Sequence, residues 1–331
     1  MTIIDSPAIK KRSSVSIIMF TVILTLIPAL LIQIGFFGYQ ILGNLFFGIS
    51  FALILESICL YLQKKPIKLF LNDFSAFLTA WLLVISMPST SPWWLIAIGI
   101  FFSIVVAKHA YGGLGSNPFN PAMIGYAVLL ISFPKLMTSW PESNSINLNN
   151  FLEISTIIVS QPFNYVADAV ASATPLDTIK TTLFLGNTID KNITSFNSSS
   201  YQLISVFYLL GGFYLIFKKV ISWHLPISFI GGVFVFSMIL FLIDPTNFMN
   251  PIFHIINGAT LLGAFYIITD PVSSPTTIKG KIIFGILVGL ITVIVRNFGG
   301  YPDGVAFAVI FMNICVPLIE KFSQPKVFGY E

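Results

Sequence analysis

The sequence predicts an all-α integral membrane protein of about ten transmembrane helices, arranged as two inverted five-helix repeats with broken helices. Three observations carry this reading. Of the 331 residues, 56% are hydrophobic and only 9% charged, with a mean hydropathy of +0.89, far from the averages of a soluble domain. Apolar runs long enough to cross the hydrocarbon core, about 20 residues each, recur along the chain. A short motif also repeats: ISMPSTSP at 85–92 and ITDPVSSP at 268–275 keep both prolines in register at an offset of 183.

The apolar runs fall at 15–35, 40–62, 69–87, 91–108, 121–137, 201–217, 223–243, 252–269, 281–297 and 303–320. Lys10, Lys11 and Arg12 precede the first, as in a signal peptide, but that run exceeds an h-region and further spans follow, so it is read as a retained span. This divides the chain into a cytoplasmic N-terminus (1–14), a first transmembrane half (15–137), a polar periplasmic loop (138–200), a second half (201–320) and a cytoplasmic C-terminus (321–331). With both termini inside, only Lys135, Lys180, Lys191 and Arg296 of the 17 basic residues lie outside, a strong positive-inside bias.

The repeat sets the orientation of the halves. Five spans is an odd number, so the second half enters the membrane upside down, and a binding region is expected near the midplane between the halves. Gly112-Gly113 and Gly299-Gly300, near the same offset, extend the match. The segments AKHAYGGLGSNPFNPAMIG (107–125) and RNFGGYPDGVAFAVIFMN (296–313) place Gly, Pro and Asn against membrane spans. Irregular backbone at that depth must be buried in protein or line a cavity, because lipid satisfies none of its polar groups.

Several function classes drop out. Cys59 and Cys315 both sit in apolar runs, so no disulfide framework or cysteine-ligated metal is supported, and His224 and His254 lack metal-ligand spacing. No metal site, nucleotide-binding fold, iron–sulfur motif or nucleic-acid partner is expected. Asn192 and Asn197 open patterns that match glycosylation acceptors. Glu56, within the second run, and Asp73, near the start of the third, are candidates for intramembrane function because ionisable groups at such depth are costly. Lys108 and His109 close the fourth span and read as interfacial anchors. Asp270 and Asp303 flank the irregular segments, where they could bind a cation, cap a helix or hold broken backbone.

The polar loop contains ASATPLDTIK (171–180). Pro175 fixes its own φ and biases Thr174 toward extended geometry, leaving the hydroxyl accessible, with small neighbours in Ala173 and Ser172.

GGLGSNPFNPAMIGY (112–126), SATPL (172–176), GATLLGAFYIITDPVSSPTT (258–277) and FGGYPDGVAFAVIFMNICVPLIE (298–320) occur in one order across nearly the whole chain. On these motifs the chain resembles the membrane-protein family that holds the D subunit of the Rnf electron-transport complex and, more distantly, the B subunit of the sodium-pumping NADH:quinone oxidoreductase. The resemblance implies FMN bound covalently to Thr174 through a phosphoester, within a motif formed by Asp168, Ser172, Ala173, Pro175 and Leu176. Asp168 matches the acidic position that the attaching flavin transferase reads, while Ala171 departs from the hydroxyl residue usual there. It further implies a second, non-covalent flavin such as riboflavin, the other Rnf subunits as partners, and a bacterial inner-membrane location amid lipid, where the Asn192 and Asn197 patterns have no glycosylation use. The implied function is relay of electrons between ferredoxin and NAD-linked partners, coupled to Na+ or H+ movement. On fold alone, a channel or secondary transporter is the competing reading.

Overall fold

The computed structural model describes residues 14–141, 171–185 and 199–324. In chain order its helices are α1 (Val15–Phe37), α2 (Gln40–Leu62), α3 (Ile67–Leu71), α4 (Ser75–Ile85), α5 (Trp93–Phe101), α6 (Pro121–Ser132) and α7 (Pro134–Thr138). There follow α8 (Pro175–Phe184), α9 (Ser199–Phe217), α10 (His224–Ile243), α11 (Pro251–Ile256), α12 (Thr260–Leu262), α13 (Ile278–Phe298) and α14 (Val305–Ser323). The α5 helix continues as a π-helical stretch, Phe102–Lys108, and a 3₁₀ turn, His109–Tyr111; α12 runs on into a π-helical turn, Gly263–Ile267. Among the described residues the strands are one antiparallel pair of two residues each, Trp140–Pro141 (β1) and Ala171–Ser172 (β2).

The all-α membrane fold is borne out, with a correction to the span list. Among the described residues, seven helices are long and apolar enough to cross a membrane. The expected runs 69–87, 121–137 and 252–269 form shorter pieces. In the first, Asp73 Oδ1 accepts from the Ser75 amide at 2.7 Å and Phe74 takes a left-handed φ of 60°, so α4 starts only at Ser75. At 11 residues it is about 16 Å long, half of a roughly 30 Å core. In the second, Pro134 removes a donor and turns Phe133 out of the helix, ending α6 at Ser132. In the third, the chain breaks at Asn257-Gly258, where Gly258 has φ +74°.

Caps written in the sequence start several of these helices. Asn120, Thr174 and Asn250 each precede a proline at the first helical position, and their side chains accept from Met123 N, Asp177 N and Ile252 N.

The packing repeats between halves. In the first half α2 packs on α3, α4 and α5, and α5 with its π extension packs on α6; in the second, α10 packs on α11, on the π-helical turn after α12 and on α13, and α13 on α14. Between halves, α1 packs on α9 and α6 on α14. Each of these helices meets its own counterpart, as a two-fold relation requires. Small residues permit the close packing of α10 against α13. A Cβ at Gly289 would stand 2.7 Å from Val233 N and 2.9 Å from Phe229 O, both rigid backbone.

Gly289→Ala is therefore expected to force α10 and α13 apart and to cost about 1–3 kcal/mol, read as a lower unfolding temperature in detergent. Gly231→Ala, with open space around its new methyl, is the control and should be neutral or stabilising; equal losses in both would refute the packing argument.

Candidate functional site

The expected loop residues come together at one end of the molecule. Ser172 pairs with Trp140 across the two-residue sheet, which places Ala173 and Thr174 beside the start of α8. Thr174 is extended (φ −66°, ψ 158°), as Pro175 dictates, and half-buried. Its Oγ1 accepts from Asp177 N at 3.3 Å, a loose cap. Thr174, Pro175 and Leu176 line a cavity of about 130 Å3 walled by Phe37, Trp140, Tyr201 and Tyr208. That is about ten times the space one water needs. The Phe37 ring sits 5.8 Å from Trp140 and 5.2 Å from Tyr201, an aromatic wall against which a planar ring system can lie. The positive end of the α8 dipole at Thr174 favours an anion there. Asp168 lies outside the described residues.

α8 is fastened to the second half through Lys180, which donates to the carbonyls of Val295, Arg296 and Tyr301. Those are C-terminal acceptors of α13 and the loop after it. Burial pushes the Lys180 ammonium down and the Asp177 carboxyl up, each opposed by attraction to the other.

Beneath this loop lies the broken span. Asp303 Oδ1 accepts from Arg296 Nε at 3.1 Å and Nη2 at 3.0 Å, and from Val305 N at 3.2 Å; its Oδ2 accepts from Ala259 N at 2.7 Å. Arg296 Nη1 donates to His254 O, and Thr260 Oγ1 donates to the same carbonyl. One ion pair thus closes the gap between α11 and α12 and caps α14. Of the three uses open to Asp303 it serves two, holding broken backbone and capping α14, and Arg296 is buried rather than an outer surface charge. Gly258 sits at the junction: a Cβ there would meet Leu176 at 2.5 Å and Asp303 Oδ2 at 2.7 Å. Asp270 caps a turn, accepting from Val272 N and Ser273 Oγ.

A second cavity, of about 150 Å3, lies at the other end of α1. Ile18 and Val22 line it, whereas Gln33 and Phe37 line the first. The two cavities are repeat mates. At the offset of 183, Ile18, Val22, Ser75, Thr79, Asn120 and Ala122 of the second answer to Tyr201, Ser205, Gly258, Leu262, Asp303 and Val305 of the first. Asn120 Nδ2 donates to Ile267 O, and the buried Asn117 leaves its Oδ1 without a partner.

Lys108 also lines the second cavity, which corrects its reading as an interfacial anchor. It is 1% exposed and His109 is 6% exposed. Lys108 Nζ donates to Glu56 Oε1 and to Ser75 Oγ, both at 2.7 Å, and His109 Nε2 stands 3.0 Å from Glu56 Oε2. Ser75 Oγ in turn donates to Asp73 Oδ1 at 2.5 Å, so both ionisable candidates of the sequence belong to one cluster. The π-helical stretch before Lys108 turns that side chain inward, a distortion frequent at functional sites. The pairing is not apparent from the sequence. The available signal is the shared depth of Glu56 and Lys108, each about one or two turns from the same side of its span.

Known proteins match the chain along nearly its whole length. The profile described as the NQR2, RnfD, RnfE family matches residues 2–329. The chain is 43% identical over 345 residues, 99% of both chains, to the D subunit of the ion-translocating oxidoreductase complex of Vibrio atlanticus. It is 41% identical over 344 residues, 99% of both chains, to the protein of the same name from Vibrio cholerae. It is also 41% identical over 345 residues to that from Erwinia tasmaniensis, covering 99% of this chain and 98% of the relative.

Asp303→Ala leaves Arg296 buried without its counter-charge and is expected to cost roughly 3–5 kcal/mol, seen as a lower melting temperature and new protease sensitivity at the α11–α12 break. The double variant Arg296→Met/Asp303→Leu should lose less than the sum of the two single variants while still forfeiting the bonds to Ala259 N, Val305 N and His254 O; an additive loss would refute the ion-pair account.

Proposed function

The chain belongs to the NQR2, RnfD, RnfE family, and from that membership we propose that it is the D-type membrane subunit of an ion-translocating oxidoreductase complex. It carries FMN on Thr174 through a phosphoester. The complex relays electrons between ferredoxin and NAD-linked partners and couples that flow to movement of Na+ or H+.

The observation that carries this reading is the position of Thr174. Its hydroxyl is held in extended backbone at the positive end of α8, on the rim of an aromatic-walled cavity. A phosphoester at Oγ1 gains the favourable helix field, and the rings of Phe37, Trp140 and Tyr201 offer apolar surface to a flavin. The flavin supplies one- and two-electron chemistry that side chains lack. The chain's own contribution is to tether the group, orient it through β1–β2 pairing and the Lys180 clamp, and shield it from water.

The second cavity is the best-matched place for a non-covalent flavin such as riboflavin. The unpartnered acceptor Asn117 Oδ1 and the donor Lys108 Nζ border this space. Such paired polar groups suit the polar edge of a ring. The distribution of basic residues supports an orientation with this cavity toward the cytoplasm of a bacterial inner membrane, Thr174 toward the periplasm and both termini cytoplasmic. The remaining members of the complex, and a flavin transferase that loads Thr174, are the partners.

The chain co-expressed with a flavin transferase is expected to fluoresce under ultraviolet light as a denatured gel band, and Thr174→Ala is expected to be dark. A wild-type band dark despite an active transferase, or a fluorescent Thr174→Ala band, would overturn the assignment.

A further inference from the structure

The cluster beside the second cavity is larger than helix packing requires. Glu56, Ser75, Lys108 and His109 are each at most 6% exposed, yet they come from α2, α4 and the end of α5. The two carboxylate oxygens of Glu56 face different ways. Oε1 accepts from Lys108, which lines the cavity, while Oε2 stands 3.0 Å from His109 Nε2, and neither of those last two atoms has an aligned hydrogen bond elsewhere. Beyond the histidine, Gln63 Nε2 lies 3.3 Å from Nδ1 and donates to the His109 carbonyl. Gln63 and Lys65, at the end of α2, close this side, with Lys65 Nζ on Gly112 O at 2.6 Å.

We infer that Lys108, Glu56 and His109 form a proton relay from the face bearing Lys65 to the second cavity. The inference rests on the proposed flavin in that cavity. Lys108 spends two of its three N–H donors on Glu56 and Ser75, so one remains for the occupant. When that occupant is reduced by electrons from the complex's carriers, it takes up protons. Lys108 gives up one N–H proton and becomes a neutral amine. The His109 imidazolium passes its Nε2 proton to Glu56 Oε2, rotation of the carboxyl carries that proton to the Lys108 side, and it restores the ammonium. The neutral imidazole, which keeps its Nδ1 proton and is bare at Nε2, swings Nε2 to the Gln63 end, takes a proton there from solvent and swings back to Glu56. Each group ends as it began, and one proton has crossed. A histidine is suited to the entry position because its ring carries two nitrogens that each hold or release a proton. Among the described residues, the other titratable or charged groups facing the relay are Cys59 on α2, Asp73 through Ser75, and Lys65, with Asp270 and Tyr266 on the wall of the cavity it feeds.

The test uses the whole purified complex, reduced by NADH in a stopped-flow instrument, with flavin absorbance followed across pH. Non-covalent flavin is first extracted with acid from the wild type and each variant. If the wild type yields none, the flavin reading of the cavity fails and the relay falls with it, before any rate is read. With flavin present, Glu56→Gln should retain it yet slow its reduction on the order of 100-fold, the scale of a lost acid–base group. His109→Gln should flatten the pH profile. A Glu56→Gln complex that keeps its flavin and reduces it at the wild-type rate, with an unchanged profile, overturns the relay. If Glu56→Gln does not assemble, Glu56→Asp keeps the charge for Lys108 but is too short to bridge both partners, and a wild-type rate there overturns the relay equally.

Discussion

A helix that stops halfway through a membrane leaves backbone amides and carbonyls where no water can reach them, and this structure is organised around three such stops. The end of α4 is met by Gln33, which donates to Ile85 O, and the turn after it by Asn44, which donates to Ser89 O. The end of the π-helical turn after α12 is met by Asn120, which donates to Ile267 O. The α11–α12 break is met by Asp303, Arg296 and Thr260. Most of these contacts join residues distant in sequence, so the half-helices depend on the tertiary fold. In return, their shortness leaves space at each end of the interface between the halves, and the two cavities occupy that space.

The repeat explains why there are two. With α1 against α9 and α6 against α14, whatever one half contributes to its end the other contributes to the opposite end. The mates have diverged in chemistry. On one side Gly258 stands where Ser75 stands on the other, and its missing side chain lets Leu176 and Asp303 approach. Ser75 instead uses its hydroxyl to pass a hydrogen bond between Lys108 and Asp73.

Composition, the proline-spaced motif and Pro175 are enough to indicate the class, the repeat and the extended backbone at Thr174, because apolar run length and proline geometry are local properties; the role proposed for Thr174 comes from the family resemblance. The short spans are harder. Residues 69–74 are apolar enough to extend α4, and only the Asp73 side chain capturing the Ser75 amide decides otherwise. The break at Asn257-Gly258 hides inside a continuous apolar run for the same reason. Charge pairing is least legible: Arg296 and Lys108 look like interfacial residues from span ends alone, and their burial follows from partners elsewhere in the fold. His254, isolated in the sequence, matters through its backbone carbonyl, which no side-chain motif can announce.

Buried charge separates the two ends more sharply than cavity shape does. Each half's fourth long segment carries a buried cationic side chain just before a Gly-Gly pair: Lys108 before Gly112-Gly113, and Arg296 before Gly299-Gly300. An unpaired charge at that depth would be very costly, so each must find a carboxylate. Arg296 takes Asp303, at the position that Asn120 fills in the other half, and that pair also secures backbone at His254, Ala259 and Val305, which makes it a fixed brace. Lys108 takes Glu56 from a different helix altogether, with His109 on the other carboxylate oxygen, and the Lys108 ammonium bonds the side chains of Glu56 and Ser75 rather than backbone. The same electrostatic requirement is therefore met rigidly beneath Thr174 and with titratable groups at the opposite cavity. A symmetric scaffold that needs two unlike sites can obtain them by moving one carboxylate from the start of a half's fifth span to the last turns of its second.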